Sequence, residues 1–152
     1  MKFDLHTHHE RCGHAYGTIE EYIVKAIEMG IEVIGITDHC PNFSSQLDHP
    51  TPRLKMAKSE FSAYVREILH LKQKYASHIE VLLGVESDYI PEYVDLYKHE
   101  YEKYPFDYIL GSIHGIDDVS IFAKQEWEKL DETGLEKLKI RYLQLLQGAA
   151  SS

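Results

Sequence analysis

Short apolar runs alternate with longer amphipathic segments along this chain of 152 residues. The runs are rich in β-branched residues, as in the Val-Ile-Gly-Ile-Thr run at 33–37, which is typical of strands buried on both faces of a sheet. We therefore predict four strands, at 2–6, 33–37, 80–86 and 107–113.

The amphipathic segments between these runs predict helices. In the first of them, apolar side chains recur at helical spacing, Thr18 and Glu21 have the pattern of a capping box, and Gly30 follows the last turn. The predicted helices are 18–29, 60–75, 91–104 and 135–146, and the predicted loops include 38–55 and 116–123. Strands that alternate with helices predict an α/β fold of parallel β/α units, although four strands are too few to close a barrel of about eight.

A short polar cluster stands at the end of each predicted strand. The clusters are His6-Thr7-His8, Thr37-Asp38-His39, Gly84-Val85-Glu86 and Ser112-Ile113-His114. Because ligands bind at the carboxyl ends of parallel strands in such folds, we expect these imidazoles and the carboxylate to meet at one rim. Alternation along the strand puts Asp4 on the same face as His6, where it could fix the orientation of an imidazole.

These residue types indicate metal chemistry. Neutral imidazole is a good ligand for zinc, iron and manganese, and a carboxylate such as Glu86 has two oxygens with which to bridge two cations. A bridged pair of metals about 3.5–4 Å apart activates water for attack on a phosphate ester. The pattern therefore predicts a metallohydrolase. Spacing alone leaves it open whether His14, in a glycine-containing loop after His8, is a further ligand.

Other polar residues are weaker candidates. Arg53, in the long loop after His39, could clamp a phosphate, but its location supports a surface role equally well. Cys12 and Cys40 are expected to pack rather than to bind metal. The remaining histidines of loops and helices are expected at the surface; they are His49, His70, His78 and His99.

Composition narrows the possible partners. A formal net charge of −9, without a Lys/Arg cluster, argues against binding an extended nucleic-acid backbone. A small anionic substrate remains compatible, because bound divalent metals dominate the local field. The sequence has two cysteines, no signal-peptide pattern and no apolar run of about 20 residues, so we expect no disulfide framework, no membrane partner and a cytoplasmic location. The sequence does not specify an oligomeric state.

Taken together, the motifs resemble the polymerase and histidinol phosphatase (PHP) superfamily over essentially the whole chain. The matching stretches are DLHTHH, CGHA, EEYIVKAIEMGIEVIGITDHCP, LLGVESDY and FDYILGSIHGID. Within the superfamily, the chain is most similar to the histidinol-phosphate phosphatases of histidine biosynthesis. The resemblance implies the N-terminal part of a distorted (β/α)7 barrel and metal-dependent hydrolysis of a small phosphomonoester.

The resemblance also implies a ligand set for two or three divalent metals. His6 and His8 would hold the first metal, and Glu86 would bridge it to a second. His114 would bind that second metal. His14 and His39 would hold the third, and the metals would be zinc, iron or manganese. Glu86 and His114 would thus act in catalysis through the metals.

The chain departs from the family pattern toward its C-terminus. The family carries another histidine in a later strand and an Asp-x-His pair near its end, and neither is found here, so each metal lacks one protein ligand. We therefore expect residues 1–152 to form a single PHP-type domain that is incomplete at the C-terminus. The competing hypotheses are a PHP-type nuclease and a truncated, non-catalytic fragment that binds metal.

Overall fold

The computed structural model of the protein describes residues 1–117 and 119–152; position 118, within the predicted loop 116–123, lies outside the described residues. The strands are β1 (Phe3–Thr7), β2 (Val33–Ile36), β3 (Glu80–Leu83), β4 (Glu86–Asp88), β5 (Leu110–Ser112), β6 (Gly115–Ile116) and β7 (Val119–Ser120). The helices are α1 (Ile19–Glu28), α2 (Lys58–Lys74), α3 (Val94–Tyr101), α4 (Lys124–Trp127) and α5 (Glu132–Ser151), with 3-10 turns at Glu10–Cys12 and Pro91–Tyr93. Among the described residues, none of these helices is both long and apolar enough to cross a bilayer.

The chain divides into two compact units. The first comprises Met1–Glu86 and Asp95–Leu110, and the second comprises Ser87–Val94 and Gly111–Ser152. The expectation of a single domain over residues 1–152 stays a prediction.

The first unit is built on a parallel sheet with the strand order β1-β2-β3. The central strand β2 is buried at all four positions and pairs with β3 in continuous register. Its register with β1 shifts between Asp4 and Thr7, so β1 carries an irregularity just where its polar cluster begins. The predicted α/β class with parallel strands is thus confirmed.

Helix α1 begins where the sequence predicts. The Thr18 hydroxyl accepts the backbone N–H of Glu21 at 3.2 Å, and the Glu21 carboxylate accepts the backbone N–H of Thr18 at 2.7 Å. Gly30 follows the helix with a φ of +68°, a conformation that favours glycine. The capping box and the glycine stop are both confirmed. The apolar face of α1 joins that of α2 and the sheet in a core that includes Ile23, Ile36, Val65, Ile68, Val81 and Leu83.

The third predicted strand, 80–86, is wrong in its extent. Regular pairing with β2 ends at Leu83, and β4 forms a separate two-stranded sheet with β5. At the break, a Cβ placed on Gly84 would lie 2.7 Å from Thr37 Cγ2, which is too close for any side chain. The apolar composition of 80–86 indicated an extended chain, but the change of partner depends on tertiary contacts that a local pattern does not encode.

Tyr108 crosses the sheet of the first unit over two glycines. Its hydroxyl donates to the carbonyl of Leu5 at 2.7 Å. A Cβ on Gly35 would lie 1.8 Å from the Tyr108 hydroxyl oxygen, and one on Gly84 would lie 2.8 Å from Tyr108 Cζ. Both positions therefore need glycine, and the tyrosine fixes β1 one residue before His6.

A second tyrosine, Tyr64, joins the ends of β2 and β3. Its buried hydroxyl lies 3.1 Å from the carbonyl oxygen of Ile36 and 2.7 Å from that of Gly84, and burial raises its pKa well above the usual value. Because Tyr64→Phe leaves these buried carbonyls without that donor, we expect it to lower the free energy of unfolding by about 1–3 kcal/mol in chemical denaturation. Tyr16→Phe, at a side chain that is 93% exposed, is the control. Equal stability of the two variants would contradict this role for the hydroxyl.

The second unit differs most from the predicted elements. The predicted loop 116–123 contains part of an antiparallel hairpin, β6–β7. The predicted helix 135–146 is longer in both directions, as α5 runs from Glu132 to Ser151. It starts earlier because the Asp131 side chain caps it by accepting the backbone N–H of Gly134 at 2.8 Å. The small core of this unit consists of Ile113, Ile116 and Leu145 with partly buried neighbours such as Tyr89 and Tyr142.

Candidate metal centre

One carboxylate oxygen in the first unit faces three imidazole nitrogens. Oε2 of Glu86 lies 3.1 Å from Nε2 of His6, 3.1 Å from Nε2 of His8 and 3.3 Å from Nε2 of His39. The Glu86 side chain is 4% exposed, whereas that of His6 is 55% exposed. The structure thus brings His6, His8, His39 and Glu86 together, although Glu86, predicted at the end of a strand, is the first residue of β4.

The backbone after β2 and β3 explains how His39 reaches Glu86. These two residues form a parallel β-bridge beyond the regular sheet. The N–H of Cys40 donates to the Glu86 carbonyl at 2.9 Å, and the N–H of Glu86 donates to the Asp38 carbonyl at 3.2 Å. The two segments thus stay paired past the break at Gly84, and this pairing holds His39 and Glu86 next to each other.

The imidazoles determine the charge of Glu86. Burial would raise its pKa, but the hydrogen bond from His8, the charge of His39 and the contact with His6 together lower that pKa to about 2. The side chain is therefore a carboxylate at any physiological pH. A buried anion surrounded by nitrogen donors is the environment that a divalent cation requires.

The donor spacing fits a metal ion. His6 Nε2 and His8 Nε2 are only 3.0 Å apart, so at most one of them carries a proton directed at the other. Two donors that each lie about 2.1 Å from a zinc ion at tetrahedral angles are about 3.4 Å apart. The separations of 3.0–3.3 Å among these side chains are close to that value. His6, His8 and Glu86 are accordingly one of the groups whose ligand atoms all lie within 4.8 Å of one another.

His14, which its spacing left open, lies beside the same cluster. Its ring centroid is 4.6 Å from that of His8 and 5.1 Å from that of His39. Its position depends on Gly13, whose φ is +82° and where a Cβ would lie 2.2 Å from the carbonyl oxygen of Pro52. The loop after β1 therefore packs on the long loop after β2, and this contact carries His14 to the rim.

Cys12 also lies next to His8. Its Sγ donates to the carbonyl of His9 at 3.2 Å and is 3.8 Å from Nδ1 of His8, and its ligand atom groups with those of His8 and His14. Burial, followed by the nearby charge of Asp38, raises the pKa of the thiol to about 12. Cys12 is therefore a buried, neutral thiol, as its predicted packing role requires, and Cys40 is also buried.

His114 belongs to the second unit, where its ring contacts Asp88, a residue that was not predicted from the sequence. Nδ1 of His114 is 2.6 Å from Oδ1 of Asp88, and the Ser112 hydroxyl lies 3.2 Å from the same oxygen. A carboxylate on Nδ1 favours the tautomer in which Nε2 has a lone pair for a metal. Asp88 follows Glu86 by two positions in β4, so strand alternation was a signal that could have identified it.

The remaining predicted residues have different surroundings. Asp4 contacts the backbone at His6, where its Oδ1 accepts the N–H at 3.1 Å. The side chain of Arg53 is exposed, and its backbone packs against Gly13. The four histidines expected at the surface are indeed exposed; they are His49, His70, His78 and His99.

The fold and the cluster define an α/β protein with a candidate metal centre at strand ends, and comparison with known proteins agrees. The PHP domain model matches residues 4–150. The chain therefore belongs to the PHP domain family.

Curated relatives include phosphatases. The chain is 35% identical to a probable histidinol-phosphatase of Schizosaccharomyces pombe over 85% of this chain and 44% of that protein. It is 38% identical to the histidinol-phosphatase of Bacillus subtilis over 75% of this chain and 44% of that protein. The chain thus spans about half the length of the curated relatives it matches.

Two solved structures are similar in fold. A candidate histidinol phosphatase from Listeria monocytogenes has a TM-score of 0.77 at 26% identity and covers 95% of this chain and 59% of its own. The histidinol phosphate phosphatase of Lactococcus lactis, solved with zinc, L-histidinol and phosphate, has a TM-score of 0.65 at 22% identity and covers 80% of this chain and 43% of its own.

Proposed function

We propose that this chain carries the metal-binding part of a histidinol-phosphate phosphatase, which converts L-histidinol phosphate and water to L-histidinol and phosphate. The observation that supports this most directly is the Glu86 carboxylate oxygen within 3.3 Å of three imidazole nitrogens. The names of the curated relatives support the substrate class, and the Lactococcus lactis structure holds the corresponding product pair with zinc.

The proposed cofactors are two or three divalent metals, which would be zinc, iron or manganese. His6, His8 and Glu86 fit one ion, and His14 with His39 is proposed for another. His114 is proposed as a further ligand on the family pattern, with Asp88 holding its Nδ1 side. Such ions supply Lewis acidity that activates water and neutralises charge on a phosphoryl group.

The chain's own residues have two tasks in this proposal. Glu86 stays ionised because the surrounding imidazoles favour its charged form, so it is available as a bridging anion throughout the physiological pH range. The imidazole Nε2 atoms of His6, His8 and His39 face the Glu86 carboxylate, so the positions of these ligands are set before substrate binds. For the fold, we propose a single PHP-type domain that is the N-terminal part of a distorted (β/α)7 barrel. The proposed location is the cytoplasm and the proposed partner is a small phosphorylated molecule.

Arg53 is proposed as a phosphate-binding residue. Its backbone lies against Gly13, the residue before His14, which places this exposed arginine in a loop next to the histidine cluster. Because a charged hydrogen bond to phosphate contributes about 1.5–3 kcal/mol, we expect Arg53→Ala to raise KM by about tenfold or more, with a smaller change in kcat. Arg66→Ala, at an exposed arginine of α2, is the control. An unchanged KM for Arg53→Ala would remove Arg53 from the site.

Substrate comparison tests the proposal. The purified chain, loaded with manganese or zinc, is assayed for phosphate release from L-histidinol phosphate and for cleavage of single-stranded DNA in the same sample. We expect phosphate release that a chelator abolishes, and no cleavage of DNA. Cleavage of DNA alone would favour a PHP-type nuclease, and metal binding without either activity would favour a non-catalytic fragment.

A further inference from the structure

Four buried residues next to the candidate ligands bond to each other in pairs. Thr7 and His9 flank His8 in one segment, and Thr37 and Asp38 precede His39 in the other. The backbone N–H of Thr7 donates to the Thr37 hydroxyl at 3.0 Å, and that hydroxyl lies 3.1 Å from the Thr7 carbonyl. All four residues are buried. The two segments that carry candidate ligands are therefore joined by buried polar contacts.

The most buried of these contacts is the one between Asp38 and His9. Oδ1 of Asp38 accepts the backbone N–H of His9 at 2.6 Å, and Oδ2 lies 3.1 Å from His9 Nδ1. Both side chains are 0% exposed. The His9 ring packs edge-on against Tyr22 at 4.4 Å, and its Nε2 makes no hydrogen bond to any described residue.

This pair joins the immediate chain neighbours of two candidate ligands. Asp38 precedes His39, and His9 follows His8. The His8 and His39 rings have centroids 5.1 Å apart although their residues come from different strands. A carboxylate that grips both the backbone and the side chain of His9 leaves little freedom in the distance between these rings.

We propose that Asp38 and His9 are positioning residues that fix the spacing of His8 and His39 for metal binding, which rests on the proposed metal-dependent function. Neither residue contacts the metal in this proposal. Their effect is geometric: the buried two-point bond replaces the regular sheet pairing that ends at β1 and β2. Residues that hold metal ligands in position without binding the metal commonly lower metal affinity by about 10–100-fold when they are removed.

Substitutions at Asp38 separate geometry from charge. Asp38→Asn keeps an oxygen for the His9 backbone N–H and offers an amide donor to Nδ1 of the other imidazole tautomer. Asp38→Ala removes both bonds. If geometry matters, the asparagine variant rescues metal binding, whereas a purely electrostatic role makes the two variants alike.

The experiment is a cobalt titration of the metal-free chain, followed by visible absorption, with thermal unfolding of each metal-free variant. We expect Asp38→Ala to bind Co²⁺ about 10–100-fold more weakly than wild type with an altered d–d spectrum, and Asp38→Asn to remain closer to wild type in both. Ile68→Ala, in the buried core of α2, controls for lost stability and should keep wild-type cobalt affinity and spectrum. If Asp38→Ala does not fold, His9→Leu replaces it and His9→Asn, which retains a side-chain donor, replaces the rescue variant.

Each contrary outcome has a distinct meaning. Wild-type affinity and spectrum in Asp38→Ala or His9→Leu would overturn the positioning role and leave the metal site standing. Equal losses in Asp38→Ala and Asp38→Asn would also overturn it, in favour of charge. A wild-type chain that binds no cobalt would overturn the proposed metal-dependent function, and this inference with it.

Discussion

Glu86→Gln is expected to reduce metal-dependent phosphate release by about 100-fold or more, the range seen when one preorganised electrostatic group is removed from an active site. The carboxylate faces three imidazole nitrogens through one oxygen, and a neutral amide lacks the negative charge that the proposed metal site would use. Initial rates with L-histidinol phosphate at saturating metal measure the effect. Glu80→Gln, at the exposed first residue of β3, is the matched control. Equal rates for the two variants would contradict the role given to Glu86.

The same substitution should change the acid stability of the metal-free chain. Because the folded protein lowers the pKa of Glu86 from 4.5 to about 2, the ionised group stabilises the fold above pH 4.5. That contribution is lost as pH falls toward 2, where the carboxylate becomes protonated. The unfolding free energy of wild type should therefore fall more steeply than that of Glu86→Gln over this range. Parallel pH profiles would mean that the imidazoles do not favour the charged form.

His8→Ala is expected to have the second large effect, which is loss of tight metal binding together with turnover. The His8 ring is central to the cluster, with centroids 5.0 Å from His6, 4.6 Å from His14 and 5.1 Å from His39. Removal of a direct ligand should cost more affinity than the roughly 10–100-fold that loss of a partner touching only the ligand costs. Isothermal titration with zinc measures the change.

The control for His8→Ala is His70→Ala, which removes an exposed imidazole from α2. That variant should bind zinc as wild type does, because the exposed His70 ring is in none of the groups of converging ligand atoms among the described residues. Wild-type zinc affinity in His8→Ala would mean that the clustered imidazoles are not the metal site.

Strand ends were the part of the site that the sequence made visible. The sequence places His6, His8, His39 and Glu86 at the ends of predicted strands. Because parallel strands have their carboxyl ends at one edge, the predicted strands alone indicated that these residues meet. His14 was different, because its place depends on the approach of Gly13 to Pro52, a contact between two loops. Only the family resemblance suggested its role.

The features that were not predicted from the sequence depend on tertiary contacts. The Asp38–His9 bond joins residues 29 positions apart, and nothing in either segment's local pattern identifies the other. Tyr108 reaches Leu5 across 103 positions and requires glycine at positions 35 and 84. The β6–β7 hairpin was predicted as a loop because its strands have only two residues each, too few to show a period.

The most direct test of the metal centre is the metal content per chain. The purified protein is stripped with a chelator, dialysed against zinc and then against metal-free buffer, and analysed by elemental analysis beside His8→Ala. We expect at least one tightly bound zinc per wild-type chain and its loss in His8→Ala. A wild-type chain without zinc, or a His8→Ala chain with the same zinc content as wild type, would contradict a metal centre at these imidazoles.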